Sequence, residues 1–394
     1  MQYDFDRVVS RAQNFSAKYD ERVKNFGTDQ VIPLWIADMD FPTAQPIIDA
    51  AVRRAQEGIW GYTSRPKSYF EAVCAWQQRR HSWSPDPALC SHALGVVPAL
   101  AALVRLFTEP DEKVLIQPPV YGEFAEVTEF QGRELVRNPL IETAPGKWEV
   151  DWADLEQKLQ EAKLFLFCSP HNPLGIVWSR EDLMRMMELC RKYGVLVVSD
   201  EIHADLVFRG THIPTASLSP EIAANTITCI SGTKTFNLAG LHASTTVFPN
   251  LEMKKRFDDF WMSFDIHRNN AFSLVAMEAA FREGDEWLDQ LLSYLDGNLH
   301  YIKEYLDVNI PEIKTFLPGA TYLMWLDCRA MGFSQDALAD FMIRKAGLGL
   351  SNGKAFDPSL MGFMRLNVAC PRSVLEQAMG QLKRAVDAWR EEGQ

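Results

Sequence analysis

The sequence has no pair of cysteines at redox or metal-ligand spacing. It also has no membrane-length apolar run, no repeat and no phosphate loop of the G-x-x-x-x-G-K-[ST] type. Each absence removes a class of protein. The seven cysteines (Cys74, Cys90, Cys168, Cys190, Cys229, Cys328 and Cys370) are odd in number and scattered. Neither a zinc site nor a disulfide framework is supported, and reduced, mostly buried thiols in a cytosol are the simplest reading. No stretch approaches ~20 uninterrupted apolar residues, so no membrane span is expected. The opening MQYDFDRVVSRAQNF lacks a charged region followed by an apolar one, so no secretory leader is expected either. Positive charge is scarce: 40 Lys and Arg stand against 52 Asp and Glu, a net charge of −12. That argues against nucleic acid or an anionic membrane as the main partner, though it leaves room for a local pocket that takes a small anion.

What is present is an ordinary soluble composition, 47% hydrophobic and 23% charged, in 394 residues. This is too long for one simple core, and a large domain plus a smaller one is expected. Short apolar runs at Lys113–Gln117, Leu164–Cys168, Val195–Ser199 and Thr226–Ile230 read as buried strands. Between them lie helix-period stretches, one capped by Ser179, with Asp182 three positions on and a stop at Gly194. Strands joined through helices imply a mostly parallel sheet covered on both faces. Towards the carboxyl end the pattern changes. A long amphipathic helix near Asp285–Tyr305, a strand at Thr321–Asp327 and a last helix after Pro371 read as a second, α+β domain.

Three strands run into unusual polar turns: Ser169-Pro170-His171-Asn172-Pro173, Asp200-Glu201-Ile202-His203 and Ser231-Gly232-Thr233-Lys234. Ligands of open parallel sheets bind at the carboxyl ends of strands, so these turns converge on one pocket. A carboxylate, an amide and an amine together suit pyridoxal 5′-phosphate. That cofactor needs an amine for its aldehyde, an anion at its ring nitrogen and donors for its ring oxygen and phosphate. Lys234, Asp200 and Asn172 fill the first three needs. Taken singly, each is more simply a solvated loop lysine, a helix cap or an ordinary Asn-Pro turn. Their order and shared placement favour the site. The stretch HALGVVPALAALVRL adds a phosphate cradle: Gly95 permits a tight turn, Pro98 suits a first helical position, and the amides of Gly95, Val96 and Val97 start an apolar helix. Tyr121 can stack on the pyridine ring.

These residues sit in longer motifs. They are PLWIADMDFPTA (Pro33–Ala44), WGYT (Trp60–Thr63), PPVYGEF (Pro118–Phe124), CSPHNPLGIVW (Cys168–Trp178), VSDEIHADL (Val198–Leu206), SGTKTFNLAGL (Ser231–Leu241), ATYLMWLD (Ala320–Asp327) and RLNVACPR (Arg365–Arg372). Together, in this order, the chain resembles the fold-type I pyridoxal-phosphate enzymes, and within the class I/II aminotransferases the cystathionine β-lyase-like branch. The ADMDF segment, the DEIH form and the KTFN-type lysine motif favour that branch over ordinary transaminases. The resemblance implies an α/β fold in which a large domain with a mostly parallel seven-stranded sheet (50–285) joins a smaller α+β domain (1–49 and 286–394).

Roles follow residue by residue from the same resemblance. Lys234 would hold the cofactor as a Schiff base and then act as acid and base. Asp200 would pair with the ring nitrogen. Asn172 would reach the ring hydroxyl and the substrate carboxylate. Tyr121 would stack on the ring and assist the leaving group. Ser231 and the Val96 and Val97 amides would bind the phosphate, with Tyr62 reaching it from the neighbouring subunit of a homodimer. Arg365 would clamp the α-carboxylate of a sulfur amino acid, with Ala37 beside it. His203, on the cofactor side, stands where many transaminases have tyrosine, which leaves the donor to the ring oxygen open. His242 stands where many have a cationic phosphate anchor. The implied reaction is α,β-elimination from cystathionine or another S-substituted cysteine. The alternatives are transamination and a non-catalytic regulator on the same fold.

Overall fold

The computed structural model describes residues 1–392, and the chain divides into two compact units. The larger comprises Thr43–Asn172 and Ile176–Leu288, the smaller Met1–Pro42, Pro173–Gly175 and Asp289–Gln394. Gly393 and Gln394, the last positions of the expected 286–394 segment, lie outside the described residues. Among the described residues no helix is long and apolar enough to cross a membrane.

The larger unit holds the expected mostly parallel sheet of seven strands. In chain order they are β1 (Cys90–Ala93), β2 (Lys113–Ile116), β3 (Glu134–Arg137), β4 (Ala162–Cys168), β5 (Leu196–Asp200), β6 (Thr226–Ile230) and β7 (Ser244–Val247). Their spatial order is β1-β7-β6-β5-β4-β2-β3, and only β7 runs antiparallel to its neighbours. The order changes direction in a way that leaves the ends of β4, β5 and β6 side by side. Period-two alternation sorts the side chains. Leu164, Leu166 and Cys168 of β4, Val198 of β5, and Ile227 and Cys229 of β6 face one core with the apolar helix Val96–Phe107. Phe165 and Phe167 point to the opposite face, where Phe167 meets Trp178 at a ring-centroid distance of 5.8 Å.

The helix foreseen behind Ser179 runs from Arg180 to Lys192. The Ser179 hydroxyl accepts from the Asp182 amide at 3.0 Å and donates to its carboxylate at 2.7 Å, which satisfies an otherwise orphaned backbone N–H of the first turn. Gly194 follows at φ +69°, a conformation that suits glycine.

The smaller unit carries a four-stranded antiparallel sheet, with β8 (Lys314–Thr315), β9 (Leu323–Asp327), β10 (Ser351–Asn352) and β11 (Phe363–Asn367) in the order β8-β9-β11-β10. The long helix reaches Asn309, and the last one spans Arg372–Glu392. The strand expected from Thr321 starts only at Leu323, because Thr321 takes a left-handed turn at φ +72°.

Candidate active site

Asp200 is the last residue of β5 rather than the first of a turn. Its register partners are Cys168 on β4 and Cys229 on β6, so the carboxylate stands between two buried sulfurs. Burial there pushes the Asp200 carboxyl up to about 7; the amide of Ile202, donating to Oδ1 at 3.1 Å, and the Lys234 ammonium pull it down but do not offset the burial. The same carboxylate adds to burial in raising both flanking thiols. Beyond β4 the chain turns so that the buried Asn172, four residues past Cys168, donates its backbone N–H to Cys168 Sγ at 3.4 Å. Lys234 follows β6 on a short helix, Gly232–Thr235. The three sequence-picked residues therefore come together at the carboxyl ends of adjacent parallel strands.

The residues expected to cradle the phosphate lie where strand β1 leads into the helix Val96–Phe107. Gly95 precedes that helix at φ +143°, a region L side chains rarely adopt. Helix Val96–Phe107 starts at Val96, so Pro98 occupies the third helical position rather than the expected first. The consequence is small, since the first turn has no intrahelical acceptors for its amides and a missing N–H costs nothing there. Ser231 caps the lysine helix: its hydroxyl accepts from the Thr233 amide at 3.1 Å and donates to the Ala243 carbonyl at 2.7 Å. Tyr121 is half-buried and packs against the core that holds Phe124. His203 is buried and His242 exposed. Tyr62 stands apart, 92% exposed, with the Arg268 guanidinium 5.5 Å from its ring centroid.

Sequence reading missed a buried polar chain beside these residues. Asp205, five positions beyond Asp200, accepts from Thr235 Oγ1 at 2.7 Å and from Trp76 Nε1 at 2.9 Å, and meets His81 Nε2 at 2.7 Å. Burial alone would push its carboxyl up, but His81, Thr235 and Trp76 outweigh it and hold the group below the usual carboxylate range. His81 packs edge-on to His212, which reaches Glu201 at 3.0 Å. Glu201 also takes the Ser199 hydroxyl at 2.9 Å and the Thr215 amide at 2.8 Å. The turn after β5 is thus fastened to the helix that bears Lys234.

In the smaller unit, Arg365 lies buried on β11. Its Nη2 donates to the Trp35 carbonyl at 2.9 Å and to Ser351 Oγ at 3.1 Å, and its guanidinium lies 4.7 Å from the Phe356 ring centroid. Ala37, two residues from Trp35, is buried in the same unit.

The donor set of the larger unit fits pyridoxal phosphate. A carboxylate walled in by sulfur, with a backbone amide as its nearby donor, suits a protonated ring nitrogen, which would return it to the charged form. A lysine stands within electrostatic reach of it, and a glycine-started helix offers amides to a phosphate.

Known proteins agree with this reading of the fold. The family described as aminotransferase class I and II matches residues 29–382. Cystathionine beta-lyase PatB of Bacillus subtilis is 40% identical over 386 residues, covering 97% of this chain and all of the relative. Protein MalY of Escherichia coli is 33% identical, covering 98% of this chain and all of the relative. Among solved structures, cystalysin of Treponema denticola, which contains pyridoxal 5′-phosphate, superposes with a TM-score of 0.95 at 33% identity over 99% of this chain and 100% of that one. The pyridoxal-phosphate-bound C–S lyase of Staphylococcus hominis gives 0.90 at 31%, covering 98% of each chain. The chain belongs to the class I and II aminotransferase family of fold-type I pyridoxal-phosphate enzymes, in the branch that contains the cystathionine β-lyases.

Proposed function

We propose that this protein is a carbon–sulfur β-lyase that cleaves L-cystathionine or a related S-substituted cysteine by α,β-elimination to a thiol, pyruvate and ammonia. With cystathionine the thiol is homocysteine. The observation that carries the reading is Asp200, a buried carboxylate fixed between β4 and β6 with Lys234 in electrostatic reach, in a chain 40% identical to a cystathionine β-lyase.

Pyridoxal phosphate, when bound, supplies an electron sink for negative charge at the substrate Cα. Asp200 keeps the ring nitrogen protonated, which makes that sink effective. The Lys234 amine takes the Cα proton, and Lys234 or Tyr121 protonates the departing sulfur; help of this kind is worth about 10²–10⁴-fold. Tyr121 would cover the ring face, Asn172 would reach the ring hydroxyl and His203 would lie on the cofactor side. Ser231 and the Val96 and Val97 amides take the phosphate, joined by Tyr62 from a second copy in a homodimer. Arg365 holds the α-carboxylate in a bidentate fork, with Ala37 and Asn172 beside it.

The test is a panel of S-substituted cysteines, assayed for pyruvate and thiol with and without a 2-oxo acid. Release without the acceptor is the expected result. Turnover only with the acceptor would make the protein a transaminase, and no turnover with cofactor bound would make it a non-catalytic member.

A further inference from the structure

Five consecutive carbonyls, from Trp35 to Met39, are each taken by a side chain of the smaller unit. Trp35 accepts from Arg365 Nη2 at 2.9 Å and Ser351 Oγ at 2.8 Å. Ile36 and Asp38 both accept from Asn367 Nδ2 at 2.7 Å, Ala37 accepts from the Tyr322 hydroxyl at 2.9 Å, and Met39 from Arg11 Nη1 at 3.1 Å. The segment is a rigid shelf, and Arg365 hangs from one end of it.

The Asp38 carboxylate and that of Asp40, the residue after the segment, enter an ion cluster that shares Arg11 Nη1 with the Met39 carbonyl. Arg11 Nη2 meets Asp38 at 2.6 Å and Nη1 meets Asp40 at 2.7 Å. Lys18, with no exposed surface, reaches Asp40 at 3.0 Å and Asp38 at 3.6 Å. Tyr19 donates to Asp40 at 3.3 Å. The cluster closes back on the shelf, since Trp35 Nε1 donates to the Lys18 carbonyl at 3.1 Å. Two cations balance two anions. A buried group of this kind is weak as a source of stability, because desolvating four charges offsets most of their attraction. What it does well is fix geometry: Arg11 and Lys18 each hold both Asp38 and Asp40, at the end of the segment that carries the Arg365 contact.

We propose that Arg11 and Lys18 are positioning residues for the α-carboxylate subsite, holding the Trp35–Asp40 shelf so that the Trp35 carbonyl aims the Arg365 guanidinium. The proposal rests on the reading of Arg365 as the carboxylate clamp. Arg11 is the residue to change, because its side chain keeps 19% exposure whereas Lys18 has none.

The experiment is spectral titration of the holoenzyme with L-alanine and with ethylamine, which differs only in lacking the carboxylate. The ratio of the two affinities reads the subsite alone. Arg365→Ala removes most of the preference for alanine. Arg11→Met lowers that preference about 3–10-fold, the size of coupling typical of one hydrogen-bonded network, and leaves the ethylamine affinity unchanged. Arg11→Lys, which keeps the charge without the fork, recovers part of it. The double variant Arg11→Met/Arg365→Ala is no worse than Arg365→Ala. If Arg11→Met leaves the preference intact while Arg365→Ala removes it, the positioning role is wrong and the clamp stands. Equal weakening of both amines by Arg11→Met would reduce the cluster to a general scaffold and overturn the proposal. A preference that survives Arg365→Ala would overturn the clamp, and the positioning role with it.

Discussion

Thr235 donates its hydroxyl to Asp205 at 2.7 Å, so the neighbour of the candidate Schiff-base lysine is tied to a residue on the turn that follows Asp200. Thr235→Val keeps the shape and removes that donor. The expected cost is about 1.5–3 kcal/mol, the range for hydrogen bonds to charged groups. Urea unfolding of the variant would show it as a lower midpoint at unchanged slope. Asp205→Ala should cost more, since it strands His81, Trp76 and Thr235 together.

Lys234→Ala should abolish pyruvate release and the visible absorbance of lysine-bound cofactor. Borohydride reduction of the native protein followed by peptide mapping should place the label on Lys234. A label on another lysine would remove Lys234 from its assigned role.

Asp200 makes a pH prediction with opposite signs in the apoprotein and the holoprotein. Its folded carboxyl, raised to about 7, exceeds its unfolded value of 3.8, so the folded apoprotein binds the proton more tightly. The group therefore costs no stability at low pH, and its cost grows as pH rises from about 4 to about 7. Asp200→Asn should stabilise the apoprotein at pH 8 and leave it unchanged near pH 3 relative to the parent. In the holoprotein the same change should lower kcat roughly 10²-fold or more, the scale of losing one preorganised electrostatic partner. Thermal melts across pH, with and without cofactor, separate the two effects.

Gly95→Ala should weaken cofactor binding through the backbone. A Cβ there would meet only Pro98, at an ordinary 3.5 Å, so the penalty comes from φ +143° and not from a clash. Strain of this kind is worth about 1–3 kcal/mol. Equilibrium dialysis should show a higher Kd for pyridoxal phosphate, and the largest change should be in the phosphate-dependent part of the affinity, read against pyridoxal.

Much of the larger unit was legible because its signals are local. The Ser179 cap lies three residues from the amide it satisfies, and β6 matches the run Thr226–Ile230 residue for residue. Asp200, Asn172 and Lys234 could be picked because strand-end turns announce themselves in order along the chain. Pro98 was set two places early, since a proline in any first-turn position leaves the same trace in sequence. The Asp205 chain was not legible. Trp76 and His81 lie 129 and 124 residues away from it, and a buried tryptophan or histidine carries no mark of its acceptor. The Arg11 and Lys18 cluster escaped for a different reason: it joins irregular segments to a four-residue helix, Ala17–Asp20, too short to show a period that would align partners.

All seven cysteines are buried and unbridged. Burial raises the Cys168, Cys190, Cys229, Cys328 and Cys370 thiols well above the ordinary range, so little thiolate is present at neutral pH. On the proposed reaction every turnover sets free a thiol, which oxidises readily to disulfides, and an exposed thiolate attacks such a disulfide to form a mixed disulfide. A catalyst that hid none of its own sulfur would progressively cap itself with its product. This chain, with every cysteine buried, offers such a product no exposed thiolate to react with, so under the proposed reaction its working life is decoupled from the redox state of the thiol released.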